Sequence, residues 1–211
     1  MNTGRFIALE GGEGVGKSTQ AALLAEALRA RGIAVVQTRE PGGTPGAEAI
    51  RQLLLDPNGN EWGERAEALL FAAARADHVD QLIRPALARG EWVVCDRFVD
   101  SSRAYQGGGG GLPDDAIMQL HAIGSDGLLP DLTVLLEVES GEAQARLVSR
   151  DGSDADRIGG RADAYHARVA QRFGALADSE PQRFARVDAS GTPAAVHDRV
   201  MAALQPLLEN L

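Results

Sequence analysis

The stretch Gly11 to Ser18, GGEGVGKS, constrains this chain more than any other. It reads G-x-x-x-x-G-K-[ST] and lies between an apolar run, RFIALE at 5–10, and a helical pattern, KSTQAALLAEALRARG at 17–32. That strand–loop–helix setting is the one the motif requires. Glycines let a backbone curl until successive N–H groups point inward, and the start of the next helix adds its positive end. A loop made of Gly11, Gly12, Glu13, Gly14, Val15 and Gly16 is therefore expected to cradle a polyphosphate, most simply that of ATP. Lys17 then neutralises β/γ-phosphate charge, Ser18 offers an oxygen to Mg²⁺, and Thr19 covers the α-phosphate.

The rest of the chain repeats the alternation. Apolar runs at 33–38, 91–96, 131–138 and 183–189 read as four further strands, the one at 33–38 as buried. Helical patterns fall between them, and one long pattern from 64 to 89 contains Pro85, which lacks the N–H that a straight helix needs and is expected to kink it. Strands that are apolar throughout, separated by helices, predict a parallel sheet covered on both faces. The fold class expected is α/β: a five-stranded parallel sheet in one domain of 211 residues. The glycine run Gly107 to Gly111 lies between two elements of that sheet and reads as a mobile loop near the site.

Composition narrows the partners. The net charge of −9 argues against a broad nucleic-acid or anionic-membrane footprint. A lone cysteine, Cys95, sits in an apolar run and reads as a buried strand residue, which fits a reducing compartment. The N-terminus reaches glycine too soon for a secretory signal, and no apolar run approaches the roughly 20 residues of a membrane span. The expectation is a soluble, cytoplasmic protein. The four histidines show no metal-ligand spacing and read as surface or packing residues.

Two features suggest what is done with ATP. Asp96-Arg97-Phe98 ends the third expected strand, at the carboxyl edge where open α/β sheets place ligands. Asp96 is suited to orient Mg²⁺ or its water, and Arg97 to grip a second phosphate. Arg146, Arg150, Arg157 and Arg161 crowd a segment otherwise rich in Asp and Gly. One reading is a solvated helix face balanced by carboxylates. The other is a lid, at about 146–161, that brings guanidinium groups onto a moving phosphoryl and excludes water.

The motifs LEGGEGVGKST, TREPGGT, LLFAAARADHV, CDRFVDSSRAYQG, PDLTVLLEV, DADRI and VDAS occur in this order. Taken together, they make the chain resemble the bacterial thymidylate kinases over nearly its whole length. The resemblance implies a P-loop nucleoside-monophosphate kinase fold, a homodimer, and transfer from ATP to dTMP with Mg²⁺. It implies that Phe71 stacks on the thymine and that Arg75, one turn on, reaches its O4 edge. Arg39 and Glu40 lie near the acceptor, and Arg97 clamps its phosphate. Ser102 faces the base, Tyr105 excludes a ribose 2′-OH, and Gln106 lines the same pocket. Glu13 contacts the acceptor sugar or the metal shell. Arg146 and the loop Asp188, Ala189 and Ser190 fall to ATP. Gly14 and Val15 stand where some relatives carry a P-loop arginine, so Arg150 and Arg157 supply that charge here. The catalytic set is then Lys17, Arg97, Arg150, Arg157 and Glu13.

This chain departs from the usual family pattern in four places. Gly159 replaces an acidic lid residue, Gly110 a basic one, and Asp163 and Tyr165 stand where phenylalanines are common. Two other readings stay open: a kinase for dUMP, dCMP or UMP, and a nucleotide-dependent switch. A GTP switch would show an N-K-x-D-like guanine reader, and the sequence has none.

Overall fold

Five strands form one parallel sheet in the order β2-β3-β1-β4-β5. They are β1 (Phe6–Glu10), β2 (Val35–Arg39), β3 (Trp92–Asp96), β4 (Leu132–Glu137) and β5 (Phe184–Asp188). The computed structural model describes residues 4–59, 61–139, 141–143, 145–146 and 157–209. β1 is central, with Leu9 beside Asp96 of β3 on one side and Val134 of β4 on the other.

Alternate residues of a strand point to opposite faces, and here each face builds its own core. Ile7, Leu9, Trp92, Val94, Val134 and Leu136 pack beneath α1 (Lys17–Ala30) and, late in the chain, α8 (Pro193–Ala203) and α9 (Gln205–Leu208). On the other face Phe6, Ala8, Val93 and Cys95 meet Val79, Ile83, Phe98 and Val99. Leu135 and Phe184 on that face meet Tyr105, Val169 and Phe173, the last two on α7 (Asp163–Ser179). Two-sided burial explains why the central strands lack an alternating pattern. β2 departs from the buried strand expected: it is an edge strand covered by β3 on one side alone, and most of its residues are half-exposed.

α2 (Pro45–Leu55) starts with Thr44 capping Ala47 N–H and proline in its first turn. The long pattern from residue 64 divides into α3 (Glu64–His78), a π-helical turn (Val79–Ile83) and α4 (Arg84–Ala88). Pro85 has no N–H to continue an α-helical ladder, and the wide turn just before it absorbs the mismatch while keeping Val79 and Ile83 fully buried.

The glycine run is not the mobile loop expected. α5 (Val99–Ser102) continues into a π-helical segment (Arg103–Gly109) that takes in Gly107 to Gly109 and packs against α7. A Cβ at Gly108 would lie 2.4 Å from Arg172 Cβ, and one at Gly109 2.5 Å from the Tyr165 ring. These glycines let two helices approach closely. α6 (Asp114–Ser125) follows and packs beside α3. Among the described residues no helix is long and apolar enough to cross a membrane.

Candidate active site

The first strand ends at Glu10, and the backbone then turns through residues that only glycine adopts freely. Gly11, Gly14 and Gly16 have φ of 138°, 74° and 94°. A Cβ on Gly11 would lie 2.4 Å from the carbonyl of Leu136, so the loop sits tightly on β4. Gly16 is the N-cap of α1 and offers no side chain to the first N–H groups of that helix. Those donors, with the positive end of the helix dipole, face the loop and suit an anion.

Lys17 curls back over the loop and donates to the carbonyls of Gly11 (3.2 Å) and Gly12 (2.5 Å). Burial, then the nearby charge of Arg97, pushes its pKa down to about 8. Ser18 donates its hydroxyl to Asp96 Oδ2 at 2.5 Å. The other carboxylate oxygen of Asp96 is buried and has no hydrogen-bond partner among the described residues. A hydroxyl and an orphaned carboxylate oxygen beside a phosphate loop are the hard donors that Mg²⁺ takes with its waters and substrate oxygens. The residues present therefore fit the metal.

Arg97 follows Asp96 with φ of 72°, a left-handed conformation that is strained for a side chain of this size and costs on the order of 1–3 kcal/mol. Several bonds hold it. Its N–H donates to Leu9 C=O (2.9 Å), and the buried Cys95 thiol donates to its carbonyl (3.0 Å). Glu10 Oε1 accepts from the N–H groups of Phe98 (2.8 Å) and Ser101 (3.0 Å), and Oε2 from the Ser101 hydroxyl (2.6 Å). Burial, then the charge of Asp100, raises the Glu10 pKa to about 7 against those three donors.

The strained turn aims a guanidinium into the centre of the site. Arg97 donates to Gly11 C=O (3.3 Å), Ser101 Oγ (3.2 Å), Glu13 Oε1 (2.7 Å) and the Tyr105 hydroxyl (3.1 Å), and its charge lies 4.9 Å over the Tyr105 ring. Tyr105 in turn donates to Glu13 at 2.9 Å. Burial alone would raise the Glu13 pKa, but Arg97, Lys17 and the Tyr105 hydroxyl outweigh it and hold it at about 2.

Together these groups border a cleft of about 530 Å³, within the usual range for a small-molecule site. Glu13, Lys17, Ser18 and Thr19 form its floor. Phe71, Ser102, Tyr105 and Gln106 form one wall, with Arg39 and Glu40 at its edge. Arg146 borders the far end and donates to the carbonyls of Ala189 (2.9 Å) and Gly191 (3.3 Å).

Other assigned residues lie elsewhere. Arg75 does not border the cleft: it is buried behind Ser102, donating to Glu40 (2.8 Å), Phe98 C=O (3.2 Å) and Ser102 Oγ (3.0 Å). Arg157 turns from the cradle and donates to Leu54 C=O (2.8 Å) and Glu67 (3.2 Å), because two buried acceptors wait there. Asp188 accepts from Ser190, and Arg199 holds the carbonyls of Asp188 and Ser190; Gly191, Pro193 and Val196 border the cleft in their place. Arg150 lies outside the described residues.

The sequence reading missed three groups. Glu10 carried a signal, a carboxylate closing an otherwise apolar strand. His78, read as a surface or packing residue, is fully buried, with Nδ1 hydrogen-bonded to Glu40 (3.0 Å) and Nε2 to the Thr38 hydroxyl (2.7 Å). Glu67 is one turn before Phe71, so helical spacing alone marked Glu67, Phe71, Arg75 and His78 as one face of α3.

The comparisons with known proteins agree on one family. The family model described as thymidylate kinase matches residues 9–200. The thymidylate kinase of Rhizorhabdus wittichii is 58% identical over 97% of this chain and 99% of its own length. That of Chromohalobacter salexigens is 54% identical over 97% and 96%. The crystal structure of thymidylate kinase from Ehrlichia chaffeensis superposes with a TM-score of 0.78 at 33% identity, covering 96% of this chain and all of that one.

Proposed function

The chain belongs to the thymidylate kinase family and transfers a phosphoryl group from ATP to dTMP, and we propose that it does so in the cleft at the carboxyl edge of the sheet. The observation that carries this reading is the position of Arg97, held between the phosphate loop and the wall formed by Phe71 and Tyr105.

Donor phosphates lie in the loop, where Lys17 exchanges the carbonyls of Gly11 and Gly12 for phosphate oxygens. Ser18 and Asp96 would hold Mg²⁺, Asp96 directly or through water, and the metal would supply charge to offset that of the donor phosphates. The dTMP base lies on Phe71 beside Ser102 and Gln106, and Arg97 binds its phosphate. That phosphate oxygen is already anionic near neutral pH, so it needs little general-base help. Catalysis is then alignment plus charge stabilisation. Glu13 ties Arg97 to Tyr105 and so fixes the direction of the guanidinium. Tyr105 meets the sugar where a 2′-OH would sit. Arg75 acts on the base through Ser102 in the arrangement seen here, and Arg146 closes the adenine end. Arg157 and Arg150 are assigned to the moving phosphoryl by resemblance. The bonds of Arg157 to Leu54 and Glu67 must open for that role.

We also infer a homodimer. Leu69 on α3 and Ile123 on α6 are 56% and 85% exposed on neighbouring helices, which suits a face covered by a second copy. A nucleotide donor and acceptor and a single buried cysteine fit a reducing cytoplasm.

The test is a coupled ADP-release assay with ATP and a panel of monophosphates. Fastest turnover with dTMP, dependent on Mg²⁺, is expected. No ADP from ATP plus dTMP, or ADP release indifferent to any monophosphate, would overturn the reading.

A further inference from the structure

The Glu67 side chain is 3% exposed and does not border the cleft, yet three donors converge on it. Gln106 Nε2 donates to Oε1 at 3.0 Å, while Arg157 (3.2 Å) and Arg161 (2.5 Å) donate to Oε2. Arg161 continues the chain of contacts: its Nη1 donates to the Tyr165 hydroxyl at 2.7 Å, and its charge lies 4.7 Å over that ring. Tyr165 then donates to the carbonyl of Tyr105 at 3.0 Å. That carbonyl is also the acceptor for Gly110 N–H (2.8 Å), the i to i+5 bond of the π-helical segment. The side-chain-free Gly109 makes room, since a Cβ there would collide with the Tyr165 ring.

One buried carboxylate thus governs two successive residues of the acceptor wall. It holds Gln106 directly and Tyr105 through Arg161 and Tyr165. The link depends on a phenol hydroxyl at 165: phenylalanine there would supply the ring but no donor. We propose that Glu67 and Tyr165 are positioning residues for the acceptor pocket, setting the depth and direction of Tyr105 and Gln106 from behind. This rests on the assignment of that wall to the monophosphate.

The test uses steady-state kinetics of the full chain with ATP and dTMP. Tyr165→Phe keeps the ring packing and removes two hydrogen bonds. It is expected to raise KM for dTMP about 3- to 10-fold, with KM for ATP within about twofold. Preference for dTMP over its ribonucleotide counterpart should fall in parallel, because the Tyr105 hydroxyl lies against the sugar. Glu67→Gln should move the same parameters further, and the double variant should be no worse than Glu67→Gln alone, since both act on one chain of contacts. Unchanged KM for dTMP in Tyr165→Phe, a matching rise in both KM values, or additive effects would overturn the proposal. If Glu67→Gln does not fold, Tyr165→Phe alone decides. Wild type that makes no ADP from dTMP overturns the proposed function and this inference with it; a normal wild type with an unaltered Tyr165→Phe overturns the inference alone.

Discussion

At the scale of single residues, the site is a set of charges whose protonation the fold has moved. Lys17, lowered from 10.5 to about 8, is charged below pH 8 and neutral above it in the free protein. The kcat/KM for ATP is therefore expected to fall as pH rises through about 8, as a pH–rate profile would reveal. Lys17→Ala should lower turnover by roughly 10²-fold or more, as expected for a lost transition-state charge partner. Its unfolding midpoint should stay near wild type, since a buried ammonium adds little to stability. Glu10 behaves in the opposite sense to a paired carboxylate. With its pKa raised to about 7, its folded form keeps a proton that the unfolded chain releases near 4.5. Its contribution to stability is full below about 4.5 and disappears as pH rises through 7. Glu10→Gln should flatten that part of the stability–pH curve measured by urea unfolding. Glu13, held at about 2, contributes above 4.5 and loses its contribution as pH falls toward 2. Lys17 and Ser18 were legible from the motif and Asp96 from its place at the end of an apolar strand, and the structure sets all three on one cleft. Glu10, Glu67 and His78 were missed: strand position and helical spacing set them on the right faces, but the partners that define a buried carboxylate or imidazole are distant in sequence.

At the scale of elements, hydrophobic runs and stop signals located all five strands and the main helices to within a few residues. What they did not disclose was position within the sheet. The apolar run at 33–38 looks like a central strand, yet β2 lies at an edge; an edge strand still packs apolar residues on both sheet faces, here Val35 on one and Val36 on the other, so apolarity does not report a missing lateral neighbour. The glycine run was misread for a related reason. Composition shows that side chains are missing but not what fills the space, and here α7 fills it. Gly109→Ala should destabilise the fold by about 1–3 kcal/mol through overpacking against Tyr165, measured as a lower urea midpoint at unchanged slope. Arg157 ties its segment to the end of α2 and to α3. Arg157→Ala is expected to cost about 1–2 kcal/mol of stability beside any loss of turnover, a double readout that Lys17→Ala should not share.

On the scale of the whole molecule, the order β2-β3-β1-β4-β5 brings the ends of β1 and β3 together, and every polar group of the cradle descends from those two ends. The wall opposite is carried by α3 and the π-helical segment, which meet through Glu67 and Gln106. A dimer through α3 and α6 would brace that wall from outside. Ile123→Lys is expected to shift the mass measured by light scattering toward the monomer while leaving nucleotide binding to the loop intact.

The helix that opens at Gly16 without a capping side chain has a consequence for the lifetime of the protein. Its first amide groups gain their best partners only when a polyanion is bound, so saturation at about 100 times the dissociation constant adds about 2.7 kcal/mol of protection. Starved of nucleotide, the chain should be cut faster by a protease; supplied with it, the same chain should endure.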